Sequence, residues 1–226
     1  MPDTNITGPL WGYEQRSRRL GGLWPTSATV APLVIGQAYA GGYYAGQIST
    51  AGNGVADYNL VVGPKSSSQT DAAWKTSGTT TSGTSSVIDG PTNSAAMNNA
   101  SHPAAQFCEA VTAGGFTDWY MPAKNELEIC YYNFKSSTVG NNGSSGINPN
   151  AVPARASNYG ASPVQVSAVI FRDPSGTEHF NTTMFQSSTE FSATQKWGQN
   201  WASGGAQYGR NKVYSDLTRA VRRVAV

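Results

Sequence analysis

Two histidines, two cysteines and two neighbouring glutamates are the residues of this 226-residue chain best suited to chemistry. His102 or His179 would act as a general base if the fold presented a serine beside it. Serine is abundant, yet no G-x-S-x-G turn displays one. His102 directly precedes Pro103 at a predicted helix start, which suggests a capping or solvated role, and His179 lies in the polar run DPSGTEHF. Glu126 and Glu128 are two positions apart, so on a helix they diverge and cannot share a substrate as an acid–base pair. Early in a helix they would favour the macrodipole instead. Cys108 and Cys130 fall on apolar helix sides and predict buried free thiols. No Cys/His spacing suits zinc, and Asp89 and Asp173 stand nearly alone, so no calcium loop is formed. The 25 glycines make neither a dinucleotide fingerprint nor a phosphate loop. The expectation is a non-enzyme with no metal and no cofactor.

Binding chemistry is better represented. From Thr194 to Tyr214 the chain reads TQKWGQNWASGGAQYGRNKVY, with aromatics alternating among amides and an arginine on a glycine-rich backbone. Stacking faces beside adaptable hydrogen-bonding groups are what a carbohydrate or protein epitope requires. Trp197, Gln199, Asn200, Tyr208, Arg210 and Asn211 are the predicted ligand contacts, with Trp201 expected in the core of adjacent strands.

Those residues need a scaffold, and its elements are partly visible. Ala104, Phe107, Cys108 and Val111 make one apolar stripe, opened by Pro103 and stopped by Gly114-Gly115. Leu127, Cys130, Tyr131 and Phe134 repeat the spacing after Pro122. Both helices read as one-sided and should pack on a sheet. Leu33 to Thr50 predicts a hairpin bent at Gly41-Gly42, Asn53-Gly54 a turn, and Tyr58–Val62 a short strand. Phe185–Phe191, Lys196–Ala202 and Thr218–Val226 read as further strands. Val164–Phe171 alternates like a strand but opens with the helix-start signal Ser162-Pro163. Thirteen of the twenty-one residues from Ser66 to Ser86 are Ser or Thr, which predicts a long exposed loop around Trp74. Ser136–Ser162 reads as a second long loop.

Composition limits the class. Charged residues are only 12%, while six Trp, eleven Tyr and seven Phe supply a core. Neutral polar loops on an aromatic core are typical of secreted, cell-surface and virion proteins. A net charge of +2 gives no case for nucleic acid, and no apolar run is long enough to insert in a membrane. The N-terminus lacks the apolar core of a signal peptide, so if the protein acts outside a cell another route of release is expected, of which lysis of a phage-infected cell is one. Residues 1–32 carry isolated large apolar groups without period and predict an extended docking arm, with Leu10, Trp11, Arg16, Arg18, Arg19 and Trp24 as its contacts. Arg219, Arg222 and Arg223 form a second basic cluster, for which ion pairs and a solvated face are the simpler explanation. Residues 33–226 then form the globular domain.

Three ordered blocks carry a family resemblance. GGFTDWYMPAKNELE resembles the G-x-x-D-W-R-L-P-t-k-x-E-L block of the Lcl C-terminal-like domains of phage structural proteins and bacterial surface lipoproteins. QSSTEF resembles that family's W-S-S-T-E strand, with Gln186 in place of Trp. RAVRRV resembles its closing V-R-x-V-R strand, with Arg223 where relatives often have Cys. The resemblance implies an α+β, C-type-lectin-like domain: two helices on a small twisted antiparallel sheet with long loops. It also tips Val164–Phe171 toward a short helix. The implied function is a bacteriophage virion protein, a tail-fibre or baseplate adhesin binding a host-surface glycan or protein and contacting other virion proteins, as a homo-oligomer for which a trimer is suitable. The alternative is a capsid or tail decoration protein gripping the particle by its arm and basic clusters. The calcium-sugar motifs of animal lectins are not present, and Cys108 and Cys130 do not match the reactive cysteines of the related formylglycine-generating enzymes.

Overall fold

The computed structural model describes residues 32–226. The expected arm contacts Leu10, Trp11, Arg16, Arg18, Arg19 and Trp24 lie outside the described residues. In chain order the strands are β1 (Ala38–Tyr39), β2 (Gly42–Ile48), β3 (Tyr58–Val62), β4 (Gln69–Ala73) and β5 (Ala151–Val152), then β6 (Met184–Glu190), β7 (Gln195–Asn200), β8 (Ala206–Asn211), β9 (Ser215–Arg219) and β10 (Val221–Ala225). The helices are α1 (Lys65–Ser68), α2 (Gly90–Ala96), α3 (Pro103–Glu109) and α4 (Lys124–Asn133). One sheet has the order β1-β2-β3-β10 with β5 beside β2; the other runs β4-β9-β6-β7-β8. Pairing is antiparallel except where β6 meets β9. The class is α+β.

One two-stranded ribbon links the sheets. β3 pairs with β10 up to Val62↔Val221, and β4 pairs with β9 from Gln69↔Arg219 onward. Between these pairs one strand has only Ala220 while the other has Gly63 to Ser68, wound into α1. Gly63 N donates to Ala220 O and Ala220 N donates to Ser68 O, so the extra residues are held at the break. An insertion of this kind bends a ribbon, and here it turns the ribbon from one sheet into the other. Thr218–Val226, expected as one strand, is therefore two strands in two sheets.

The expected Ser66–Ser86 loop is irregular and exposed chiefly over residues 76–83. Its first residues form α1 and β4, and Trp74 is fully buried with its indole N–H donating to Ser187 O at 2.9 Å. Thr84 is buried as well, its hydroxyl donating to Thr81 O. Ser and Thr can close hydrogen bonds onto nearby backbone as readily as onto water, so their abundance does not imply exposure.

Two apolar clusters fill the interior. The larger stacks Phe134 on Phe171 with ring centres 4.1 Å apart and Phe180 on Trp201 at 4.9 Å, with Phe185 against Trp201. The smaller seats α3 through Ala104, Ala105 and Cys108 against Trp74, Trp119 and Met121. Phe107, expected on the same stripe, is partly buried beside this cluster. Both cysteines are free and buried, as expected. Helix α2 has no counterpart in the sequence reading, although Asp89 marks its start by accepting from Thr92 N, with Pro91 in the first turn. Val164–Phe171 supplies only a 3-10 turn, Val169–Phe171.

Candidate functional site

The stretch singled out for binding forms the hairpin β7–β8. Register pairs Lys196 with Arg210, Gly198 with Tyr208 and Gln199 with Gln207. Paired residues share a face and neighbours along a strand alternate. Asn200, Tyr208 and Arg210 therefore lie on one side, and Trp197, Gln199 and Asn211 on the other. The tight connection uses Gly204 and Gly205 in the left-handed region, and a Cβ on Gly205 would lie 2.2 Å from the Tyr131 ring.

On the first face Asn200 Nδ2 donates to Tyr208 Oη at 3.1 Å, and Tyr208 is 40% exposed. Arg210 Nε reaches both carboxylate oxygens of Asp216, at 2.7 and 2.8 Å, and its guanidinium lies 5.4 Å from the ring of Tyr214. Tyr214 is 54% exposed. Beneath them Lys196 is buried, bonded to Asp216 at 2.9 Å and to Tyr214 O at 2.6 Å. Burial lowers the Lys196 pKa, opposed by the charge of Asp216. This face can offer two phenol rings, an amide and the edge of a guanidinium, held from below by an ion pair.

The second face is largely closed. Gln199, at 1% exposure, donates to Gly205 O and accepts from Gln207 Nε2, so the predicted ligand contact is a structural residue. Asn211 accepts from Val213 N and shapes the turn. Trp197 is half-buried between Phe191, edge-on at 4.7 Å, and the ammonium of Lys124 at 4.9 Å. Trp201 is in the core as expected.

The loop Ser136–Ser162 is fastened inward rather than free. Both α4 glutamates are buried; Glu126 does sit in the first turn and accepts from the Ala123 N–H at the helix start, as expected, while Glu128 serves a buried cluster instead. Glu128 accepts from Asn148 Nδ2 at 2.6 Å, Tyr159 Oη at 2.6 Å and Arg155 Nη2. Glu126 accepts from Tyr120 Oη at 2.6 Å, Ala123 N at 2.8 Å and Arg223 Nε at 2.9 Å. Burial raises the Glu126 pKa, opposed chiefly by Arg223. Asn150 bridges Asn125 and the backbone of Ser49. A buried carboxylate persists only with such partners. Arg219 and Arg222 are likewise engaged, with Glu178 and Asp118. The ion-pair explanation for the C-terminal arginines is the one the structure bears out.

No histidine is set up for nucleophilic catalysis among the described residues. His102 is buried, not solvated, and makes no side-chain cap. Its Nδ1 faces Asn99 Oδ1 at 2.8 Å and its Nε2 faces Thr81 Oγ1 at 2.9 Å. Asn99 Oδ1 can only accept, so Nδ1 carries the proton and Nε2 accepts from the hydroxyl. Burial, reinforced by Lys75 and Lys212, lowers its pKa to about 4. His179 Nδ1 donates to Gly176 O, which turns the Nε2 lone pair toward Lys65 Nζ at 3.1 Å. No serine or cysteine bonds either ring. Burial raises the Cys108 thiol to about 12 and Cys130 further, so neither ionises at neutral pH.

No protein-family model matches the chain, and comparison with curated proteins and with solved structures found no match.

Proposed function

We propose that this chain is a bacteriophage virion protein, a tail-fibre or baseplate adhesin whose C-type-lectin-like domain presents the outer face of β7–β8 to a host surface. The observation that supports this most is the contrast in how polar groups are used. Around α4 buried Glu, Asn and Tyr side chains and partly buried Arg side chains, several of them from Ser136–Ser162, bond one another. Tyr208 on the supported hairpin and Tyr214 just beyond it remain exposed, with Asn200 partly exposed beside Tyr208. Recognition by exposed aromatics and amides on a rigid frame is how binding surfaces of this composition work. The chain would act beside other virion proteins as a homo-oligomer, anchored through residues 1–32.

The decoration reading is weaker because it enlists basic clusters to grip the particle. Arg219 and Arg223 are paired with the buried acids Glu178 and Glu126, and Arg222 is paired with the surface Asp118, so all three charges are already engaged within the chain. Quantitative mass spectrometry of purified particles separates the readings. A few copies per particle supports the adhesin; hundreds of copies overturns it in favour of decoration.

A further inference from the structure

Beside the edge strand β10 a cleft of about 620 Å³ opens between the Thr50 loop, the start of α2 and β3. That volume lies in the range of small-molecule sites. Its walls mix apolar surface, from Tyr58, Ile88 and Pro91, with Asp89, Asp118 and Arg223. Asp89, Asp118 and Arg223 are each held by hydrogen bonds within the protein and retain unused capacity. Asp118 accepts from Arg222 at 2.7 and 2.9 Å, and Asp89 accepts from Thr92 at 3.3 and 2.7 Å. Every carboxylate oxygen so engaged has a further lone pair. Arg223 is fixed by Glu126 and Ile88 O through Nε and Nη2, and its Nη1 makes no hydrogen bond among the described residues. The base is Tyr120, locked to Glu126.

Charge narrows the ligand. An anion would face Asp89 and Asp118. A cation would meet the Arg223 guanidinium, which already lies 5.3 Å from the ring of Tyr58. A neutral ring with one C–H face and a rim of hydroxyls meets neither conflict. Its flat face covers Tyr58, Ile88 and Pro91, its hydroxyls donate to the two carboxylates, and one hydroxyl accepts from Nη1. We propose that this cleft is a binding site for a neutral pyranose, free or as a unit of a surface glycan. The site is separate from the hairpin face, so either assignment can fail without the other.

The full-length chain is titrated with glucose, galactose, mannose and N-acetylglucosamine, and separately with choline and inorganic phosphate, by saturation-transfer NMR and calorimetry. At least one neutral sugar is expected to bind with a millimolar dissociation constant, while choline and phosphate do not. Tyr58→Ala and Asp89→Asn should each weaken that binding about tenfold or more. Asn caps a helix as well as Asp does, so the Asp89→Asn effect is separable from unfolding, and the thermal midpoint of each variant verifies the fold. Tyr208→Ala should leave sugar affinity unchanged. The proposal is overturned if no sugar binds up to about 100 mM, if choline or phosphate binds instead, if Asp89→Asn retains full affinity, or if Tyr208→Ala alone abolishes binding.

Discussion

The α4 region and the β7–β8 hairpin are built from the same polar residue types and use them in opposite ways. Around α4, Glu126 and Glu128 are buried and every oxygen is engaged, by Tyr, Asn and Arg side chains and, at Glu126 Oε2, by the Ala123 backbone N–H. On the hairpin the polar groups of Asn200 and Tyr208 bond each other at the surface and keep capacity for a ligand. A buried polar network rigidifies because each member loses much when a partner leaves. A surface pair loses little, because water replaces the partner. The comparison teaches that, among the described residues of a chain so poor in charge, many ionised side chains are internal fasteners, and the proposed recognition surface is made chiefly of neutral aromatics and amides.

The strongest way to break the contrast is at Glu128. Glu128→Ala strands Arg155, Asn148 and Tyr159, and loss of one partner from a buried charge cluster costs about 3–5 kcal/mol. Urea denaturation should show this loss, with hydrogen exchange accelerated across residues 145–160. A change below about 1 kcal/mol would mean the carboxylate is not the fastener described.

Next in size is an acid sensitivity placed at His102. Its folded pKa of about 4 lies below the ~6.5 of an unfolded imidazole, so the unfolded chain binds the proton more tightly. The stability it contributes is complete above pH 6.5 and declines as pH falls toward 4. Comparing denaturation midpoints at pH 7 and pH 4.5 should show a smaller drop in His102→Gln than in the unchanged chain. Equal drops would show that the ring titrates as though exposed.

Arg210 belongs to the hairpin but is used as a fastener, bonded to Asp216. Arg210→Ala removes one partner of buried Asp216 but leaves Lys196, so a cost of about 1 kcal/mol is expected in thermal melts. It is therefore a poor probe of binding alone. Tyr208→Ala touches only surface contacts and should shift stability by less than about 0.5 kcal/mol, which makes it the clean variant.

Local signals were legible where they decided the structure. Tyr58–Val62 forms a strand over the expected bounds because an apolar run ends at Gly63-Pro64. The stripe through Cys108 became a helix with one buried face, as expected, whereas the one through Cys130 became a helix buried on every side over residues 125–131, which corrects the one-sided expectation. What escaped depends on partners distant in sequence. The break at Ala220 exists because Gly63–Ser68 lies opposite it, and the burial of Glu128 needs Asn148, Arg155 and Tyr159 from a loop that composition marks as exposed. The division of the binding stretch was within reach: strand alternation alone separates Asn200 from Trp197 and Gln199. Asp89 before Gly90-Pro91 is likewise a helix-start signal that reads only as an isolated acid until Ile88 and Asn93 are placed around it.

The central claim is that the open face of β7–β8 meets the host. It is tested most directly by binding of the labelled full-length chain to intact cells of a bacterium that the proposed phage infects, for the unchanged protein and Tyr208→Ala at matched stability. The account predicts saturable binding that falls at least about tenfold in the variant. Equal binding by both, or none by the unchanged protein, would contradict it.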